Sequence, residues 1–588
     1  MSGIFGYIGN DECKDILAAG LECLEKRGGE ITGIAMKNAD DIFAVKTVGN
    51  TQDLKQKLSK IDNPSTVGIA QCDKAVRCKA SPLTAKPASN NMFAIAMDGY
   101  VDNFDDLKRW SSNPFPIATD EDLLLAMLCV LNQNEKIQMI SKISSMISST
   151  PSFVFFGNDA DVLYCHAGTY PLLIGIGENG FYVSSELNSL TRLCSKYTSL
   201  DFGESARITK SKLTVYDSKM RKIKKILLST PEEIQFENNY PFKDEIFYCP
   251  LAVKETYKNF VHNSRLDFDD LKLTRRSVEK IKRIILTGSG SSYNVAKISA
   301  YNFEMLTDIP TVAYEAGELR YSGCIIDKNT LMIAISHRGE NDNTIACVRR
   351  AKSLGAKVIC LTSNKSSTLA RISDKIINPN CDFDVSDVSF RSYISNYLAM
   401  SFFTLYMGYK NNVVNELYLN VTIKMAEMLS GKVFSSVKSS IAFESIADIL
   451  STCRSVYVTG LGADYALALE GAQKLQQVSS IEAIAYPVCR LSQIPADMLN
   501  DKVVLSLITN KEFLQKSLYD LRRIKNLGAR VMIITTSNIE EEIKDFESIL
   551  AFNDSIPLFN PLTCICSIYK IAVLVEEIKS KPHIDEAV

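Results

Sequence analysis

The spacing of apolar positions along this chain changes once. Up to about Leu228 they come in short runs between turn residues, as in FAIAMDG (93–99), PLLIGIG (171–177), FYVSSE (181–186) and KLTVYD (212–217). Runs of this length and spacing predict short strands, and with a few helical stretches among them the block reads as α+β. A polar stretch with prolines, STPEEIQFENNYPFKDE (229–245), interrupts the pattern and is expected to be a linker. From about residue 281 the rhythm is apolar run, small-residue loop, amphipathic stretch, apolar run: RIILTGSGSSYNVAKISAYNFEML, then LMIAISHRGENDNTIACVRRAKSLGAKVICLTS. Continuous apolar strands alternating with helices predict a doubly wound parallel sheet.

That rhythm occurs twice. SVYVTGLGADYALALEGAQKLQQ and VVLSLITNKEFLQKSLYDLRRIKNLGARVMIITT repeat its order, with Gly460 standing 172 residues after Gly288 and Arg522 standing 173 after Arg349. RRAKSLGAKV (349–358) and RRIKNLGARV (522–531) agree at eight positions when Lys and Arg count as equal. This is an internal duplication. The expected organisation is an α+β domain over 1–228, a linker over 229–250, and two tandem α/β domains over 251–430 and 431–588.

Charge then narrows the function classes. Lys and Arg total 66 against 68 Asp and Glu, a net charge of -2, so no general field holds nucleic acid or an anionic membrane, and an anion site must be local. Leu123 to Leu131, the longest apolar run near a helix, is far short of the roughly 20 residues of a membrane span. The 16 cysteines contain no CxxC pair and the start MSGIFGYIG carries no basic region leading into an apolar one, so a reducing cytoplasm is expected. Four histidines, His166, His262, His337 and His583, are too widely spread for a metal motif, and no cofactor is expected. Of these only His337 falls in a candidate site, where it reads as a solvent-facing loop residue. Acidic clusters such as Asp267, Asp269 and Asp270 read as solvated surface.

Two loops of the first repeat could hold a phosphate. Gly288-Ser289-Gly290-Ser291-Ser292 lies between a strand and a helix, where backbone N–H groups, hydroxyls and the helix N-terminus favour an anion. The plain alternative is a tight turn with capping serines. Ser336-His337-Arg338-Gly339-Glu340-Asn341 also follows a strand and opens a helix, so both loops should meet at the C-terminal edge of one sheet, where Arg338 could fork onto a phosphate. The matching loops of the second repeat, Gly460 to Asp464 and Ile508 to Lys511, lack hydroxyl density, and Asp464 would repel an anion.

GSGSSYN (288–294), AGELRY (316–321), ISHRGENDNT (335–344) and SLGAKV (353–358) resemble the sugar isomerase (SIS) domain, whose serine and threonine loops hold the phosphate of a hexose phosphate. ALEGAQKLQQVSSIEAIAYP (468–487), SGIFGYIG and LEKRGGEITGIA (24–35) extend the resemblance to the glutamine–fructose-6-phosphate aminotransferase family over essentially the whole chain. The fold this implies is an N-terminal-nucleophile (Ntn) hydrolase sandwich followed by two Rossmann-like SIS sheets, with a dimer built by the SIS halves. By the same resemblance Ser291, Ser292, Ser336 and Ser389 match the phosphate contacts, with Arg338 and Asn341 replacing a serine and a threonine.

The resemblance also marks departures. The family's N-terminal cysteine nucleophile is Ser2, which could still act once Met1 is trimmed. The arginine that clamps the glutamine carboxylate falls at Asp73 in IAQCDKAVRC (69–78), which would repel it. The oxyanion-hole asparagine of HNG falls at Asp98, beside a retained Gly99; losing one such donor costs about 10²–10³ in rate. Asp120 matches the residue that holds the substrate amine. Lys474 is retained, but the proton-shuttling glutamate is Gln477, the ring-opening histidine is Gln493, and the tail KPHIDEAV lacks the family's terminal lysine. Glutamine is no general base.

The reading favoured by these residues is a hexose-phosphate-binding relative, for fructose 6-phosphate or glucosamine 6-phosphate, that has lost glutamine-dependent synthesis. It would act as a sensor, a regulatory partner of an active paralogue or a scaffold, as homodimer or heteromer. The alternatives are an active aminotransferase making glucosamine 6-phosphate, and a phosphosugar isomerase or deglycase drawing on Glu340 and His337.

Overall fold

The computed structural model describes residues 2–580 except 26–28, 39–40, 62–63, 75–78, 83, 112–115, 132–134, 150, 169–171, 231–241, 366, 382–383, 385–387, 439–440 and 547, and without the side chains of 188, 540 and 541. The tail 581–588 and its His583, and 231–241 of the expected linker, lie outside these residues. Residues 242–246 and 249–250 are instead part of helices Phe242–Ile246 and Cys249–Phe260, joined by a turn at 247–248, with Ile246 and Cys249 fully buried. The chain divides into two compact units, Met1–Gln235 and Phe236–Val588.

The first unit is built from two antiparallel sheets. One has eight strands in the order Leu228–Ser229, Lys196–Leu200, Leu172–Ile176, Gly180–Ser184, Gly3–Gly9, Val67–Asp73, Ile31–Asn38, Asp41–Val48; the other has seven, running from Lys222–Ile223 to Ala88–Ser89 with Phe93–Asp98 next to that edge. Alternation sends Ile4, Ile8, Ile69, Ala94, Val154, Leu163 and Ile174 into a layer between the sheets. Phe5 and Tyr7 point the other way, onto helix Cys13–Leu24. Helices Asp120–Val130 and Lys136–Met146 cover the outer face of the second sheet. With apolar layers on both faces, Gly3–Gly9 is buried throughout, and the result is the four-layer sandwich of an Ntn fold.

The second unit holds two five-stranded parallel sheets of identical order. The first runs Thr311–Glu315, Arg283–Gly288, Thr330–Ile335, Lys357–Leu361, Lys375–Ile377; the second runs Glu482–Pro487, Ser455–Gly460, Val503–Ile508, Arg530–Thr536, Ser548–Phe552. After the first strand of each repeat comes a glycine at φ 60°, Gly290 and Gly462, a left-handed turn that a side chain disfavours. Each glycine opens a 17-residue helix, Ser291–Thr307 or Ala463–Ser479, that closes on a left-handed cap, Asp308 or Ser480. One apolar core runs through both repeats and takes in helices Arg391–Lys410 and Asn560–Ser580, the latter buried along most of its length.

Candidate functional site

In the first repeat the two loops meet. Strands Arg283–Gly288 and Thr330–Ile335 are parallel neighbours, so their C-terminal ends lie side by side. Ser289 Oγ donates to Asn341 Oδ1 at 3.3 Å, and that same oxygen caps helix Asp342–Ser353 by accepting from Thr344 N at 3.0 Å. Ser336 is buried and pinned by its N–H to the Leu361 carbonyl at 3.0 Å, whereas Arg338 stands exposed at the loop tip. Ser292 is half-buried at the helix start. Ser389 is half-buried ahead of helix Arg391–Lys410 and makes no hydrogen bond to the described residues of either loop.

In this unit three residues differ from expectation. His337 does not face solvent: it is half-buried, Nδ1 lies 3.2 Å from Ser363 Oγ, and its carbonyl accepts from Thr362 Oγ1 at 2.9 Å. Glu340 accepts from Thr368 N at 2.8 Å, capping the short helix Thr368–Ile372. One of its carboxylate oxygens is therefore engaged in holding that helix. Ser291, matched to a phosphate contact, turns away from the loop: its hydroxyl donates to Glu470 Oε1 at 3.1 Å and accepts from Lys474 Nζ at 2.9 Å.

Ser291 thereby joins a buried polar cluster on helix Ala463–Ser479. Lys474 and Glu470 are fully buried and 3.1 Å apart, and Gln477 Oε1 accepts from Lys474 at 3.1 Å. Glu470 further accepts from Asn294 Nδ2 at 2.7 Å and Tyr569 OH at 3.3 Å. Glu470 was not singled out in the sequence, although its i,i+4 spacing to Lys474 is a visible ion-pair signal. Gln493 is exposed, two residues past helix Val488–Leu491.

In the first unit Ser2 is buried and its backbone N donates to Asp98 Oδ1 at 2.9 Å; Asp98 is fully buried at the end of strand Phe93–Asp98. Gly99 follows at φ 119°. Asp120, buried at the start of its helix, accepts from Val101 N at 3.2 Å. A carboxylate therefore points at residue 2 where the family resemblance puts an oxyanion donor.

Asp73 is not the free repelling charge expected of it. It pairs with Lys86 and accepts from Lys74 N at 2.7 Å, and Lys86 also reaches Glu121 Oε1 at 2.6 Å. Glu121, fully buried, accepts from Gln71 Nε2 at 2.8 Å, an amide that also donates to the Met97 carbonyl across the sandwich. Burial opposes the charge on Lys86, but Glu121 and Asp73 outweigh it and hold the ammonium above its ordinary pKa. Burial raises the Glu121 pKa against the pull of Lys86, as expected where two carboxylates share one cation. Gly33 lets this loop approach: a Cβ there would lie 2.3 Å from the Lys86 carbonyl. Lys86→Met strands two buried carboxylates and is expected to destabilise this unit by about 3 kcal/mol at neutral pH, partly recovered in acid as Glu121, whose pKa burial raises, takes up a proton. Denaturant melts at two pH values test this; unchanged stability would mean that the cluster is solvated.

Among the described residues no group of His, Cys, Asp and Glu could hold a metal ion, and no helix is long and apolar enough to cross a membrane.

Comparison with known proteins agrees with this architecture. The SIS domain family matches residues 277–406 and 449–550. A protein of Clostridium tetani named glutamine–fructose-6-phosphate aminotransferase [isomerizing] is 25% identical over 96% of this chain and 95% of its own length. Its namesake from Clostridium acetobutylicum is 27% identical over 93% and 92%. Among solved structures, the C-terminal domain of glucosamine-fructose-6-phosphate aminotransferase from Francisella tularensis shares the fold of the second unit, with a TM-score of 0.55 and 22% identity over 59% of this chain and 98% of that one.

Proposed function

We propose that this chain, a homologue of the glutamine–fructose-6-phosphate aminotransferases with two SIS domains, binds a hexose phosphate in its first SIS domain and has lost glutamine-dependent synthesis. The observation that carries the binding half is the Ser289–Asn341 bond. It draws two donor-bearing loops to the shared end of adjacent strands, each opening a helix, and the partial positive charge of helix N-termini favours a phosphate dianion there. Ser292 and Ser336 supply hydroxyls and Arg338 a guanidinium at the exposed loop tip, where a phosphate could be met by its fork of donors. Ser389 completes the set.

Loss of synthesis is supported by chemistry. Asp98 puts negative charge beside Ser2, where a tetrahedral intermediate would need a donor. The Lys86 ammonium is engaged by Asp73 and Glu121 and so cannot replace the carboxylate clamp. Lys474 is retained, but Gln477, its neighbour at 3.1 Å, stands where the family resemblance puts the proton-shuttling glutamate. The role that remains is that of a cytoplasmic sensor, a regulatory partner of an active paralogue, or a scaffold, in a homodimer or heteromer.

Calorimetric titration tests the binding half. Fructose 6-phosphate or glucosamine 6-phosphate is expected to bind and glutamine is not, with binding weakened more than tenfold by Arg338→Ala and by Ser336→Ala. Binding that ignores both substitutions would move the phosphate elsewhere. Ammonia from glutamine, or glucosamine 6-phosphate formed by the purified protein, would replace the loss reading with an active aminotransferase.

A further inference from the structure

The second repeat carries the same loop architecture as the first but fills it differently. Position 464 corresponds to Ser292 at the 172-residue offset, and Thr509, first after strand Val503–Ile508, corresponds to Ser336, first after Thr330–Ile335. In the first repeat both positions carry hydroxyls. In the second, Asp464 is 2% exposed and both of its oxygens engage the facing loop: Oδ2 accepts from Thr509 N at 3.0 Å and Oδ1 from the Thr509 hydroxyl at 2.5 Å. Asn560 Nδ2 holds the Thr509 carbonyl at 3.0 Å, fixing that loop from behind. A carboxylate thus stands between a helix start and a strand-end loop, donors on the far side.

We propose that the second SIS repeat supplies its own acceptor oxygens: the Asp464 carboxyl is a tethered occupant of the position that a phosphate group takes in the first repeat, so the second loop pair is closed to phosphate-bearing ligands. The proposal shares with the phosphosugar reading the assignment of positions 292 and 336, and its test separates the two. It also accounts for a sequence feature that otherwise looks like simple loss, because an aspartate that repels an external anion is the same aspartate that satisfies the loop without one.

Inorganic phosphate is titrated calorimetrically into the full chain and into Asp464→Ser. The parent is expected to bind one phosphate, lost in Arg338→Ala. Asp464→Ser is expected to bind one more than the parent, the added site surviving Arg338→Ala and disappearing in Asp464→Ser with Thr509→Val. A folded Asp464→Ser with no added site overturns the proposal, as does a parent that binds two phosphates with one insensitive to Arg338→Ala. A parent that binds none while Asp464→Ser binds one sinks the phosphosugar reading and leaves this one standing. Should Asp464→Ser fail to fold, amide exchange at Thr509 in the parent decides: strong protection is expected, and exchange at the rate of an open loop overturns the claim.

Discussion

Glu470→Ala is expected to destabilise the C-terminal unit by about 4 kcal/mol, the largest loss anticipated from any single polar substitution in this chain. Glu470 is fully buried and takes donors from four residues: Lys474, Ser291, Asn294 and Tyr569. Truncation leaves an ammonium with no carboxylate in a core where it cannot be hydrated, and strips an acceptor from an amide and a phenol. Both kinds of orphan are costly, the charge far more so. Glu470→Gln keeps acceptor capacity but loses the charge, and should cost about half as much. Replacing both members, Glu470→Leu with Lys474→Met, should cost less than Glu470→Ala alone, because no buried charge remains. Denaturant midpoints for the four proteins check this order; a double variant as damaged as the single one would show that the cluster holds the repeats by geometry and not by charge balance.

Acid is expected to stabilise the chain through one residue. Burial pushes the Asp464 pKa up from 3.8 to about 7, against the two Thr509 hydrogen bonds that lower it. A pKa raised in the folded state means that the native protein binds the proton more tightly than the unfolded chain. The associated stability is complete below the unfolded value, fades as pH rises from about 4 towards 7, and is absent above, a change on the order of 4 kcal/mol. Asp464→Asn, which keeps an acceptor for Thr509 and cannot ionise, should remove this slope. The comparison is the difference between parent and variant melting curves across pH, which cancels the other carboxylates. Titratable groups beside Asp464 include the buried Cys564 and Tyr397, both neutral in this window because burial raises them further. Parallel pH profiles for parent and variant would show that Asp464 is solvated.

What could be read from the residues was whatever repeats or alternates. The offset of 172 between Gly288 and Gly460 foretold two sheets of one topology, and it recurs in the backbone, where Gly290 and Gly462 share a φ of 60°. Strand runs such as KLTVYD and loops such as ISHRGENDNT are local patterns, and each lies where its pattern predicts. Side-chain partnerships across the fold were not legible. Nothing near Lys86 announces Asp73 or Glu121, because their meeting depends on how a loop crosses two strands. Ser291 and Ser292 are chemically identical neighbours, and only the helix phase sends one towards Lys474 and leaves the other at the loop. Asp464 was read as a charge that keeps an anion out: sequence shows a carboxylate at an anion loop, but not that Thr509 has already claimed it.

Helix Asn560–Ser580 is buried along most of its length and packs on material from both ends of its unit: Tyr569 reaches Glu470 and stacks edgewise on Phe390, Ser479 donates to the Ala572 carbonyl, and Cys566 lies against Cys249 at the start of helix Cys249–Phe260. Among the described elements it is the last to be synthesised. During translation the earlier strands of this unit therefore wait with their apolar faces uncovered, whereas the sandwich ahead of it is already whole. Chaperone dependence and aggregation on the ribosome should fall on the second unit, and substitutions along this one helix should reduce yield more than they reduce the stability of whatever protein does emerge.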